Sequence, residues 1–176
     1  LRAAKQSDID EAVSQVVLGG AEGAVELARD ERVALLSVTG SVNAGSALAP
    51  LVQARYGRTL LELGGNNSMI VTPSADLDLA VRATTFSAAG TAGQRCTTLR
   101  RLIVHESIAD EFLDRIAKAY STLKVGNPFH EGTLVGPLIG SPASQALDNS
   151  CAIASDSGEV LVDATRVCID EAPNAY

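Results

Sequence analysis

Tryptophan is absent from the 176 residues, and three phenylalanines and three tyrosines are all the aromatic side chains present. Basic residues are in the minority: 14 Lys and Arg face 21 Asp and Glu, for a net charge of −7, and they form no run. Clustered cations and interleaved aromatic rings are what a nucleic acid or an anionic membrane surface requires, so neither partner is expected. No stretch approaches the roughly eighteen uncharged apolar residues of a membrane span. Leu1-Arg2-Ala3-Ala4-Lys5 leads into polar residues, which is not the pattern of a signal peptide. Cys96, Cys151 and Cys168 are too few and too irregular for a disulfide framework, and without a CxxC pair or clustered histidines no metal site is expected. The usual GxGxxG dinucleotide fingerprint is missing too. These absences point to a reduced, cytoplasmic setting.

What is present suits a folded α/β chain. Apolar residues make up 46% of the sequence, and the length matches one large domain or parts of two. After a short lead-in over Asp8 to Val13, Val16-Val17-Leu18 reads as a buried strand running into Gly19-Gly20, followed by a helix over Ala21 to Arg29. Val33 to Val38 is a second apolar run of strand length. It ends at Thr39-Gly40-Ser41 before a helix from Ala44 to Arg55, which Pro50 should bend or begin. Strand, glycine turn and helix, repeated, is the signature of parallel βαβ units.

Strands follow at Thr59 to Leu63 and Ser68 to Val71, then a helix from Leu77 to Ala88 introduced by Asp76. Leu102 to Val104 is a strand, and Ser107 with Asp110 suits the cap of a helix over Ile108 to Leu123. Ile108, Phe112, Ile116, Ala119 and Leu123 fall at helical spacing and read as core. Beyond a Gly- and Pro-rich loop from Lys124 to Gly140, a helix is expected over Pro142 to Ser155, with short strands at Gly158 to Val162 and Arg166 to Ile169.

Three positions carry chemical interest. Cys96, in Gly93-Gln94-Arg95-Cys96-Thr97-Thr98, is either a buried structural thiol or a nucleophile. Arg95, Arg100 and Arg101 beside it would favour a thiolate, or else pair with surface acids. Glu62, within Leu61-Glu62-Leu63-Gly64-Gly65, is either a desolvated general base or an acid facing solvent on an edge strand. Thr39-Gly40-Ser41 is either an ordinary strand-to-helix turn or a backbone surface for a phosphate or nicotinamide ring.

Together these stretches resemble the aldehyde dehydrogenase superfamily. The Glu62 motif precedes the Cys96 motif by 34 residues, and Val38-Thr39-Gly40-Ser41 precedes both. Asn66-Asn67, Cys96 to Arg101, Lys124-Val125-Gly126-Asn127-Pro128 and Gly136-Pro137-Leu138-Ile139 are similar to the antiquitin-like branch, which includes α-aminoadipic semialdehyde (piperideine-6-carboxylate) dehydrogenases. The resemblance implies the end of a Rossmann-type NAD-binding domain over residues 1–64 and the start of an α/β catalytic domain over 65–176, as the central section of a longer protein. It implies Cys96 as nucleophile and Glu62 as the base that activates water. Gly20, Thr39, Gly40, Ser41, Leu63 and Gly64 would lie against NAD, with NADP as the alternative. The implied partners are a small-molecule aldehyde and further copies of the chain, as a dimer or tetramer. Two rivals accompany this reading: an acylating or esterase-like thiol enzyme, and a catalytically silent module associating with a full-length enzyme.

Overall fold

The computed structural model describes residues 6–7 and 9–176, and the chain divides into two compact units, 1–63 and 64–176. The division falls after Leu63, where the strand that closes the first unit ends.

In the first unit, helix α1 (Ala21–Arg29) leads to strand β1 (Leu35–Gly40), helix α2 (Val42–Ala54) and strand β2 (Arg58–Leu63). β1 and β2 run parallel, with Val38 opposite Leu61, Thr39 opposite Glu62 and Gly40 opposite Leu63. Alternation along the strands puts Leu36 and Val38 against a core of Ala28, Leu48 and Val52 supplied by the two helices. Gly45 of α2 is required here. A Cβ at that position would come within 2.7–2.8 Å of the Leu63 methyls, so its absence lets the helix lie on the end of β2. Pro50 falls inside α2 rather than in its first turn, and the helix continues to Ala54 without that one rung. The turn after α1 is closed by Asp30, which accepts from the Arg32 backbone at 2.9 Å and from its guanidinium at 2.6 Å. That hydrogen-bonded cation holds the Asp30 carboxyl at about 2.

Two expectations at the front of the chain change. Asp8 lies outside the described residues, and Glu11–Val13 forms a single 3₁₀ turn. Val16, Val17 and Leu18 are 82, 80 and 92% exposed and form no strand. An apolar run becomes a strand only beside a neighbour that takes its hydrogen bonds, and β1 has only β2 among the described residues.

The second unit repeats the parallel arrangement. Strand β3 (Asn67–Val71), helix α3 (Leu77–Ala89), strand β4 (Leu99–Val104) and helix α4 (Glu106–Ser121) follow in order, with β3 pairing β4. Asp76 caps α3 by accepting from Leu79 N–H at 3.0 Å. The cap of α4 is His105, two residues earlier than expected: its ring accepts from Ser107 N–H at 3.2 Å, so Ser107 becomes the donor in the cap instead of the cap itself. Phe112 is fully buried and Ile108, Ile116, Ala119 and Leu123 are half-buried, as helical spacing predicts. One face of the β3–β4 sheet is covered; on the other, the paired Ile70 and Ile103 are exposed.

Helix α5 (Ser141–Ser157) ends the regular structure. The expected strands at Gly158 to Val162 and Arg166 to Ile169 are absent, again for want of a ladder partner. Instead the tail folds back through single bonds, such as Leu138 N–H to the Tyr176 carbonyl at 2.7 Å.

Phe112 is the largest side chain sealed in the second unit. Phe112→Ala is expected to lower stability by about 3–5 kcal/mol, read from urea denaturation; a loss below about 1 kcal/mol would mean that this stripe does not hold the unit together.

Candidate active site

Cys96 sits at the corner of a tight turn between a 3₁₀ segment, Gly90–Gly93, and β4. Thr98 N–H donates to the Arg95 carbonyl at 3.2 Å, and Arg95 N–H donates back to Thr98 Oγ1 at 3.2 Å. Cys96 and Thr97 are therefore the two central residues of a β-turn. Thr98 is 2% exposed and anchors the turn, whereas Cys96 is exposed. Of the two readings of the thiol, the structure gives the accessible one.

The approach to the turn is conformationally costly. Thr91, Ala92 and Gly93 have φ of 54, 53 and 71°, a left-handed run in which only Gly93 is free of Cβ penalty. Side chains on either side of the thiol hold it. The Arg95 guanidinium donates to the Phe86 carbonyl at 2.8 Å at the C-terminal end of α3 and lies 4.8 Å from the Phe86 ring. Gly90 makes room for it: a Cβ there would stand 2.6 Å from the guanidinium. Gln94 Nε2 donates to the carbonyls of Thr91 and Pro137, and its Oε1 accepts from Ile139 N–H at 2.8 Å. Asn67, at the start of β3, donates to the carbonyls of Cys96 and Thr98 at 2.8 and 3.0 Å.

This pattern revises the role of the arginines. Arg95 serves the end of α3, Arg100 donates to the Gly93 carbonyl at 3.2 Å, and Arg101 donates to Asn66 Oδ1 at 3.1 Å. Their hydrogen bonds go to main-chain carbonyls and an amide, so they brace the loop rather than the sulfur or surface acids. Asn67 was not among the candidate site residues. Asn67 gave only a branch resemblance, and an amide in sequence carries no mark of the carbonyls it will reach.

The remaining candidates belong to the first unit, except Gly64, which opens the second. Glu62 is exposed near the end of β2, opposite Thr39, so the structure favours the solvent-facing reading over the desolvated one. Thr39 and Gly40 close β1 at its carboxyl end, the end at which open parallel sheets bind ligands. Ser41 caps α2, its hydroxyl accepting from Ala44 N–H at 3.1 Å. Leu63 packs on Gly45, Gly64 follows it with no heavy atom within 4 Å of a Cβ, and Gly20 is the equally open N-cap of α1. Among the described residues no group of three or more His, Cys, Asp or Glu is placed to hold a metal ion, and no helix is long and apolar enough to cross a membrane.

A parallel α/β chain with an exposed cysteine on a braced turn defines a class of thiol-bearing α/β domains, and comparison with known proteins narrows it. Residues 1–174 match the aldehyde dehydrogenase family. The chain belongs to that family. Alpha-aminoadipic semialdehyde dehydrogenase of Mus musculus is 54% identical over 127 residues, covering 72% of this chain and 24% of the relative. Aldehyde dehydrogenase family 7 member B4 of Arabidopsis thaliana is 42% identical over 164 residues, 93% of this chain and 32% of the relative. These relatives support the antiquitin-like branch. Among solved structures, succinate-semialdehyde dehydrogenase from Burkholderia pseudomallei superposes with a TM-score of 0.83 at 35% identity, covering 88% of this chain and 32% of that one. Glyceraldehyde-3-phosphate dehydrogenase from Methanocaldococcus jannaschii, complexed with NADP, gives 0.83 at 34% identity, covering 89% and 34%. The chain spans about a quarter to a third of the length of these proteins.

Gln94 ties the Cys96 loop to the segment ending at Ile139 by hydrogen bonds to Pro137 and Ile139. Losing a net hydrogen-bond contribution of about 1 kcal/mol, the Ile139 amide in Gln94→Ala is expected to exchange with deuterium about fivefold faster. Unchanged exchange would show that the segment is held by something other than this amide.

Proposed function

We propose that this chain carries the nucleophile of a nicotinamide-dependent dehydrogenase that oxidises an aldehyde to a carboxylic acid. The observation that carries the reading is the exposed Cys96 thiol on a turn fixed from both sides. The thiolate adds to the aldehyde carbon, forming a C–S bond and a thiohemiacetal. Loss of the aldehyde hydrogen with its electron pair converts this adduct to a thioester. Water, giving a proton to Glu62, then attacks the thioester; the C–S bond breaks and the carboxylic acid leaves. The role of Glu62 rests on its motif, and its exposure is compatible with a base that meets water. The Cys96 N–H has no acceptor among the described residues, which leaves it available to an oxyanion beside the sulfur.

A bound nicotinamide dinucleotide supplies the hydride acceptor. The residues present fit one: Thr39 and Gly40 end β1, the amides at the start of α2 follow Ser41, and Gly20 is open at the start of α1. Leu63 and Gly64 are assigned to the same role from their motif. We take NAD as the cofactor, while the NADP held by the Methanocaldococcus jannaschii neighbour keeps the phosphorylated form in view. A semialdehyde bearing a carboxylate is the favoured substrate, since two of the similar proteins are named for such compounds.

Incubation with α-aminoadipic semialdehyde and NAD, followed by the absorbance of reduced cofactor, is expected to give a rate that Cys96→Ala lowers by at least about a thousandfold. Equal rates in the two proteins would exclude the thiol. No signal from either would favour the silent module.

A further inference from the structure

The β3–β4 ladder is irregular at the end nearest the thiol. Asn67 is opposite Leu99 and Ser68 is opposite Arg101, so Arg100 is bulged out and regular pairing stops at Leu99. The three residues before it, Cys96 to Thr98, belong to no strand. Their outward carbonyls still need donors, and the two that face β3 receive them from one side-chain nitrogen. Asn67 Nδ2 has two hydrogens, and its distances of 2.8 Å to the Cys96 carbonyl and 3.0 Å to the Thr98 carbonyl use both. The opposite amide orientation would set Oδ1 against two carbonyl oxygens, so the donor assignment follows from the partners. The side chain thus stands in for the missing rungs of the ladder.

Gly65 completes the arrangement. A Cβ on it would lie 3.0 Å from the Cys96 carbonyl oxygen and 3.0–3.2 Å from the Asn67 amide, so only glycine leaves both undisturbed. A planar peptide held by its carbonyl has its orientation set. Fixing the 96–97 and 98–99 peptides, with the Arg95–Thr98 turn bonds, fixes the path of the main chain through Cys96. The unspent Cys96 N–H is therefore held in one direction, on the residue that bears Sγ.

We infer that Asn67 is a positioning residue for the thiol: its double donation holds the Cys96 backbone so that the N–H meets the oxyanion formed when Sγ attacks a carbonyl. This rests on the proposal that Cys96 is the nucleophile. The assignment separates two reactions of the same sulfur. Attack on an ester carbonyl forms a C–S bond, places negative charge on the carbonyl oxygen and expels the alcohol, so it needs the N–H. Displacement of iodide from iodoacetamide forms a C–S bond with no oxyanion and does not.

The test uses the whole 176-residue chain and needs no cofactor. Acetylation by p-nitrophenyl acetate and alkylation by iodoacetamide are each measured at Cys96, Cys151 and Cys168 by peptide mass after quenching. The proteins compared are the unaltered chain, Asn67→Ala and the isosteric Asn67→Asp. In both variants ester acylation of Cys96 is expected to fall at least about tenfold while its alkylation changes less than about twofold. Equal loss in both reactions, or no loss in either, overturns the positioning role. So does faster alkylation at all three cysteines, which signals unfolding. If Cys96 of the unaltered chain is acylated no faster than Cys151 and Cys168, the nucleophile assignment itself fails, and the role of Asn67 with it.

Discussion

A main chain that leaves regular structure must find other partners for its peptide groups, and the loop bearing Cys96 is governed by that constraint. From the last turn of α3 to the first full rung of β4, the carbonyls of Phe86, Gly93, Cys96 and Thr98 receive side-chain donors from Arg95, Arg100 and Asn67. Gln94 adds bonds on the far side. The residues around the thiol are thus chosen for reach and donor count. Gly65 and Gly90 are chosen for the space that Asn67 and Arg95 occupy. A left-handed run through Thr91 and Ala92 persists because this bonding outweighs its cost, on the order of 1 kcal/mol per residue.

Each unit is half of a layered arrangement. Helices seal one face of each parallel strand pair, while Leu35 and Leu60 on the first sheet and Ile70 and Ile103 on the second are exposed. Parallel sheets in α/β proteins are ordinarily covered on both faces. Among the described residues each sheet has two strands, and these apolar side chains remain exposed on it.

Much of the fold was legible because its signals are local. The helix over Ala21 to Arg29 and the strands flanking Gly64-Gly65 follow from apolar runs and glycine punctuation, and Asp76 capped α3 as its chemistry suggests. What failed depends on partners that are not local. Val16 to Leu18 has strand composition but no ladder to join, as do the two short segments near the C-terminus. The site was legible in the same uneven way. Cys96 and Glu62 draw notice by residue type and by the motifs of the family resemblance, whereas the bonding of Asn67 arises from a bulge between β3 and β4 that composition does not announce. The arginines misled for a related reason, since a cation beside a cysteine in sequence points to the sulfur only if the backbone turns it that way.

The proposed reaction requires a covalent bond between Cys96 and the substrate carbon. The most direct measurement is to quench the protein in acid during reaction with an aldehyde and a nicotinamide dinucleotide, and to map the acyl group by peptide mass. A mass increase confined to the peptide containing Cys96, and removed by hydroxylamine as a thioester is, is the result expected. Product formation with the acyl group on another residue, or with none on Cys96, would contradict it.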